Sequence, residues 1–493
     1  MIGLSMKRIL KSSLALTLAV SLTACTGTDV SDQADASNQA NESKQSAETA
    51  NAGQTEIQNE DVTAAQHGEA VDYLVSKKVE LPAQYAYPKE EDFKTSDGEF
   101  DYEAYDKAME EWITNNEARQ AISDETIQKL FEYYKKTVPY ILQYKEGENI
   151  LYSPVNVYMA LGMLCEITAG DSRQQILDLL GEKDIESLRE SVSQIWNSSY
   201  VDDGSVTSIL AASLWMNQDI EFNQETVDQL ADTYFAESYK GETGSDGMNQ
   251  ALHKWLNDHT GNLLEEQAGA VNLEPETILA LATTIYFKAG WADQFNKEAN
   301  TTETFHAVSG DVEKEFMHSS DTDTFYWGDH FTAVNRELAN SGSILFILPE
   351  EGTRPQDLLS DQETMDFITN TYDWEKSKNA MIHENIPKFD VDSMTDLVDS
   401  LKALGIQDAF DPLKADFTPI VSNQEAMVSS AQHAVRVKVD EEGVEAAAFT
   451  VIMAKGTAML ETETVDFTLD RPFLFVIKGS NNLPLFTGIV EKP

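Results

Sequence analysis

The sequence predicts one large α+β domain at the C-terminal end of a longer chain, on three observations. Helix-period apolar patterns dominate from Ser123 to Leu180, β-branched and aromatic runs accumulate from Ser208 onward, and no segment repeats. A chain of 493 residues exceeds the ~100–200 residues usual for a domain, but single folds of this size occur. Hydrophobic residues at 41% are enough for a sizeable core.

The domain is expected to begin at Ser123, a plausible N-cap ahead of Ile127, Leu130, Phe131, Tyr134 and Val138, whose spacing lays one apolar stripe along a helix. A second apolar stretch, 149–167, ends at Ala169-Gly170-Asp171-Ser172. A helical period then resumes from Arg173 to Leu180 and stops at Gly181. Strand-like runs follow at Ser208–Trp215, Ile278–Phe287, Ile344–Leu348, Arg436–Val439 and Phe473–Ile477.

Ahead of the domain, residues 1–24 have the shape of a secretory signal: Lys7, Arg8 and Lys11, then an apolar run from Leu14 to Leu22, then small residues. The ending Leu22-Thr23-Ala24-Cys25 resembles the bacterial lipobox, which implies cleavage before Cys25 and acylation of its sulfur. The protein is then expected outside the cytoplasm, lipid-anchored to a bacterial cell envelope or released from it, touching membrane only through the lipid. Residues 25–82 are expected to be a disordered polar and acidic tether. From Thr26 to Glu69 there is no Phe, Trp or Tyr, too little apolar surface to offset the entropy of ordering. Such a coil spans roughly 40 Å. Residues 83–122 stay acidic but gain Tyr85, Tyr87, Phe93, Phe100, Tyr102, Tyr105 and Trp112, and are expected as a Tyr-rich extension, docked or separate.

A formal charge of −50, from 85 acidic and 35 basic residues, disfavours nucleic acid, anionic membranes and heparin-like polyanions as partners, because like charges repel. Catalysis is not expected. No G-x-S-x-G elbow, Gly-rich phosphate loop or C-x-x-C occurs, and His383-Glu384 opens no H-E-x-x-H. No metal or cofactor is expected. Cys165 lies among apolar residues and reads as a buried, inert thiol.

Six collinear segments resemble the serpin family over residues 123–493. They are NILYSPVNVYMALGMLCEITAGDSRQQI, LATTIYFKAGWADQF, IPKFDV, LKALGIQDAFDPLKADFTPI, HAVRVKVDEEGVEAAAFTVIMA, and DRPFLFVI with LFTGIVEKP. The resemblance implies the serpin fold, helices packed around a large central β-sheet with two smaller sheets and an exposed reactive-centre loop. It also implies a function: suicide inhibition of a serine protease, by cleavage of that loop, trapping of the acyl-enzyme and insertion of the loop into the sheet. In the shutter, where the central sheet parts, Ser153 and His433 match the family pattern, while Asn156 and Thr283 stand where a serine and an asparagine are usual. In the breach, at the top of the sheet, Trp291, Lys388 and Glu441 match, the last two resembling the ion pair at the base of the loop.

Insertion places a testable demand on the loop, because alternate side chains of a strand enter opposite faces. Counting from the hinge Glu441, one set is Val444, Ala446, Ala448, Thr450, Ile452 and Ala454, small or apolar and uncharged; the other carries Glu445, Phe449 and Lys455. Gly443 offers a pivot, Ala446-Ala447-Ala448 a slender edge, and no proline interrupts Glu441–Thr468. Some dozen inserted residues would add on the order of 20 hydrogen bonds worth about 1 kcal/mol each. In the family the scissile bond usually follows the residue about sixteen positions past the hinge glutamate, which here gives Thr457-Ala458 and an elastase-like or subtilisin-like target. Lys455, Met459 and Leu460 are alternatives in other registers. The rival expectation is a non-inhibitory relative acting as carrier, chaperone or adhesin. A monomer is expected either way.

Overall fold

The structure, a computed structural model, describes residues 13–24 (main chain only), 75–95, 99–143, 145–340, 342–444 and 463–493. In chain order its principal helices are α1 (Tyr102–Arg119), α2 (Asp124–Ile141), α3 (Pro154–Ile167), α4 (Gly170–Leu180), α5 (Ile185–Ser199), α6 (Gln224–Tyr234) and α7 (Asp246–Asp258). The strands are β1 (Ser13–Ala24), β2 (Val75–Lys77), β3 (Ile150–Tyr152), β4 (Val201–Asp202), β5 (Thr207–Asn217), β6 (Ala236–Gly241), β7 (Thr277–Gly290), β8 (Thr301–Ala307) and β9 (Gly310–Trp327). They continue with β10 (Phe331–Glu337), β11 (Ser343–Pro349), β12 (Ser377–Pro387), β13 (Phe389–Asp396), β14 (Ala426–Val439), β15 (Gly443–Val444), β16 (Thr464–Thr468), β17 (Phe473–Lys478) and β18 (Pro484–Val490).

Local chemistry sets the helix ends where the sequence placed them. The Ser123 hydroxyl accepts from the Thr126 amide at 3.2 Å and opens α2. Gly181 closes α4 in the left-handed conformation at φ 73°. Helix α3, apolar apart from Asn156 and Glu166, is buried along its whole length, as a helix enclosed between two layers must be. It packs between β7 and β18, and its Gly162 permits the close approach of α6: a Cβ there would lie 2.9 Å from the Tyr234 ring.

The first sheet runs β14–β15–β7–β5–β6–β2, with β13 on the far side of β14 and β4 on β5; β1 lies between β14 and β7 below β15. Strand β7 is covered on one face by α3 and on the other by α7, whose Met248, Leu252 and Trp255 form a separate apolar cluster with Trp215, Ala280 and Ala282. Burial on both faces explains its nearly continuous apolar run. The second sheet runs β16–β12–β9–β10–β11–β17–β18–β3. The two smaller sheets expected separately are here continuous, because the 18-residue strand β9 pairs with β12 and then reaches β10.

The tether expected through residue 82 ends earlier. Val75–Lys77 is the edge strand β2, pairing Val75 with Tyr239 and Lys77 with Ser238 of β6. Val75 packs on the α7 cluster, and the Lys77 ammonium lies 2.6 Å from Asp228 on α6. The Tyr-rich extension is docked. Its aromatics pack edge to face, Tyr87 on Trp112 and Phe93 on Tyr105, and the Tyr87 amide donates to the Asp203 carbonyl at 2.9 Å. Arg119, at the end of α1, donates to the Tyr200 carbonyl after α5.

Candidate functional site

Between β7 and β14 lies the slot that a sheet-inserting loop would need. Strand β15 occupies its top. Gly443 faces Gly290, and Val444 faces Ala289 of β7 and Val439 of β14, antiparallel to both. Val444 is fully buried. Gly443 sits at φ 149°, and a Cβ on it would lie 2.0 Å from the Ala289 carbonyl oxygen, so the close packing of three strands requires glycine there. Beyond Val444 the hinge residues Ala446, Ala447 and Ala448 and the expected scissile pair Thr457 and Ala458 lie outside the described residues, as does Cys25.

The breach residues come together at the mouth of this slot. The Lys388 ammonium is 3.1 Å from the Glu441 carboxylate and 3.1 Å from that of Glu315. The Trp291 indole N–H donates to the Asp440 carbonyl at 2.8 Å, fixing the turn that leads into β15. Burial pushes the Glu441 carboxyl up, but its own amide, Lys388 and Asn300 outweigh burial and hold its pKa below the ordinary value. For Lys388, burial pushes down, and Glu315 with Glu441 together raise it.

The shutter residues meet lower in the sheet. Ser153 caps α3, its hydroxyl accepting from the Asn156 amide at 3.4 Å. The Ser153 amide donates to His433 Nε2 at 3.1 Å, which places the ring proton on Nδ1. The Thr283 hydroxyl donates to Asn156 Oδ1 at 3.2 Å, so the two residues that depart from the family pattern contact each other. All four side chains are buried, and burial pushes the His433 pKa down to about 3. Asn156 Nδ2 and His433 Nδ1 have no hydrogen-bond partner among the described residues.

Three contributors escaped sequence reasoning. Asn300 donates to Glu441 at 2.6 Å and to Glu315 at 3.0 Å, tying both acids of the breach together. Arg336 and Glu384 form an ion pair behind Trp291, each side chain only 9% exposed. The Arg336 guanidinium stacks 3.9 Å from the Phe295 ring centroid and donates to the Asp293 carbonyl at 2.6 Å. Arg336 lies between Asn335 and Glu337, and Glu384 between His383 and Asn385, so neither stands out as a charge inside an apolar run. Cys165 is buried, its thiol pushed up to about 12 chiefly by burial. Among the described residues no helix is long and apolar enough to cross a membrane.

The family model for serpins (serine protease inhibitors) matches residues 131–493. Rat neuroserpin (Rattus norvegicus) is 30% identical over 393 residues, covering 76% of this chain and 92% of neuroserpin. Among solved structures, the native state of the thermophilic serpin tengpin aligns with a TM-score of 0.65 at 23% identity, covering 76% of this chain and 95% of tengpin. Thyroxine-binding globulin in complex with thyroxine aligns at 0.61 with 20% identity, over 75% of this chain and 99% of the globulin.

Proposed function

The chain belongs to the serpin family, and from that premise we propose that it is a suicide-substrate inhibitor of serine proteases. Serpins are in general inhibitors of such proteases rather than enzymes, although some are carriers. The observation that carries the inhibitory reading is β15: the hinge residues Gly443 and Val444 already pair with β7, and Val444 pairs with β14 as well, buried between the two walls of the slot.

The protease serine attacks the Thr457 carbonyl carbon, the bond to the Ala458 nitrogen breaks, and Thr457 is left as an ester on the enzyme. Freed at one end, the chain from Glu445 onward extends β15 into the slot, small and uncharged residues inward. At about 3.3 Å per residue the esterified end travels roughly 40 Å, displacing the enzyme before water completes deacylation. The shallow Thr457 side chain favours an elastase-like or subtilisin-like enzyme; cleavage after Lys455, Met459 or Leu460 would redirect the inhibitor to other specificities. Lipidation at Cys25 would hold a monomer outside the cytoplasm, on the envelope.

Similarity to thyroxine-binding globulin favours a second reading, a non-inhibitory carrier. Incubation with a panel of serine proteases separates the two. An inhibitor leaves a covalent complex that survives SDS, with mass spectrometry of the released peptide locating the bond; a carrier leaves only a nicked loop.

A further inference from the structure

The slot holds a second strand. Below β15, strand β1 runs antiparallel to both walls, pairing along β7 from Lys288 to Thr277 and along β14 from Arg436 to Ala426. Its register continues that of β15. Val444 faces Ala289, and Ser13 faces Lys288, the next residue along β7. On the other wall Val444 faces Val439, and Ala15 faces Arg436, three residues on. Residues Ser13–Ser21 therefore stand where 445–453 would stand if β15 ran on. The sequence suits the place, since S-L-A-L-T-L-A-V-S-L-T-A alternates Leu or Val with Ser, Ala or Thr and carries no charge.

We infer that Ser13–Ala24 is an autoinhibitory plug of the insertion slot, so that a chain retaining it cannot take up its own cut loop. One gap between two strands admits one strand, because neighbours in a sheet lie only ~4.8 Å apart. The plug and the loop are competitors for the same backbone groups of β7 and β14. Cleavage before Cys25 would remove the plug and arm the inhibitor. This inference rests on the insertion mechanism proposed above for its consequence, but not for its structural content.

The test compares the full chain carrying Cys25→Ser, which blocks processing at the lipobox cysteine, with the same chain carrying Leu18→Pro. Proline removes a ladder N–H at the centre of β1. Amide exchange over 279–288 and 428–436 decides the plug, and we expect it to be at least ~10-fold faster in the Leu18→Pro chain. A second variant, Leu16→Asp with Val20→Asp, should act alike by adding charge to a strand paired on both edges. Equal exchange in all three chains overturns the inference. Elastase and subtilisin supply the functional arm, in which the Cys25→Ser chain should be nicked without complex and the Leu18→Pro chain should trap. Equal trapping by both also overturns the plug and leaves the inhibitory reading standing. Faster exchange with trapping by neither upholds the plug and removes the inhibitory reading.

Discussion

The breach and the shutter are two stations along one slot, built on opposite principles. At the breach, charge is matched: Glu441 is held by Lys388 and Asn300, and Lys388 by a second acid, Glu315. At the shutter, Asn156 Nδ2 and His433 Nδ1 are buried donors with no partner among the described residues. A buried polar group left unpaired costs roughly 1–3 kcal/mol, whereas a well-paired one stabilises by about 1. The difference teaches where the sheet is fixed and where it can part. The mouth of the slot is anchored through the turn before β15, whereas at the shutter β7 and β14 already stand apart, with β1 paired to Thr283 on one wall and His433 on the other.

The sharpest break in this contrast comes from Val444→Arg. A guanidinium at this fully buried position between β7 and β14 would have to shed its water, so SDS-stable complex with a susceptible protease should disappear while loop cleavage persists. Undiminished complex formation would contradict the seating of β15.

Acid should reveal the shutter next. His433 titrates near 3 in the folded chain against 6.5 when unfolded, so the unfolded state takes up the proton first. Its contribution is complete above pH 6.5 and is lost as pH falls toward 3, with a slope of up to about 1.4 kcal/mol per pH unit. Urea midpoints measured between pH 7 and 4 should fall accordingly, and His433→Asn should flatten that slope.

Lys388→Ala tests the breach. It leaves the Glu441 carboxylate with Asn300 and its own amide, and stability should drop by ~1–3 kcal/mol in urea titrations at neutral pH. A smaller effect belongs to Thr283→Val, which removes the one hydroxyl bond to Asn156 and should cost about 1 kcal/mol. If Thr283→Val cost more than Lys388→Ala, the anchored mouth and the yielding middle would have to be exchanged.

Much of this was legible in the sequence because it is local or periodic. The Ser123 cap, the Gly181 stop and the apolar runs of β5, β7, β11 and β17 each announce themselves within a dozen residues. The breach and shutter residues were legible only through collinear resemblance to a family. Their partners lie up to 280 positions apart, as Ser153 and His433 do, and no local period encodes such a contact. For the same reason Asn300 and the Arg336–Glu384 pair were missed. Strand β2 was hidden in a polar segment because pairing with β6 makes it a strand, its own composition being neutral on the point. The apolar run 14–22 has the shape of a leader, and its strict alternation, equally visible, also suits the strand β1.

The central claim is that the slot between β7 and β14 will accept the cut loop. Melting of the chain freed of residues 1–24, before and after cleavage at the reactive bond, tests it most directly. Some 20 added hydrogen bonds of about 1 kcal/mol each should raise the midpoint by at least ~10 °C. An unchanged midpoint would mean that the loop stays outside the sheet and that no energy is held for inhibition.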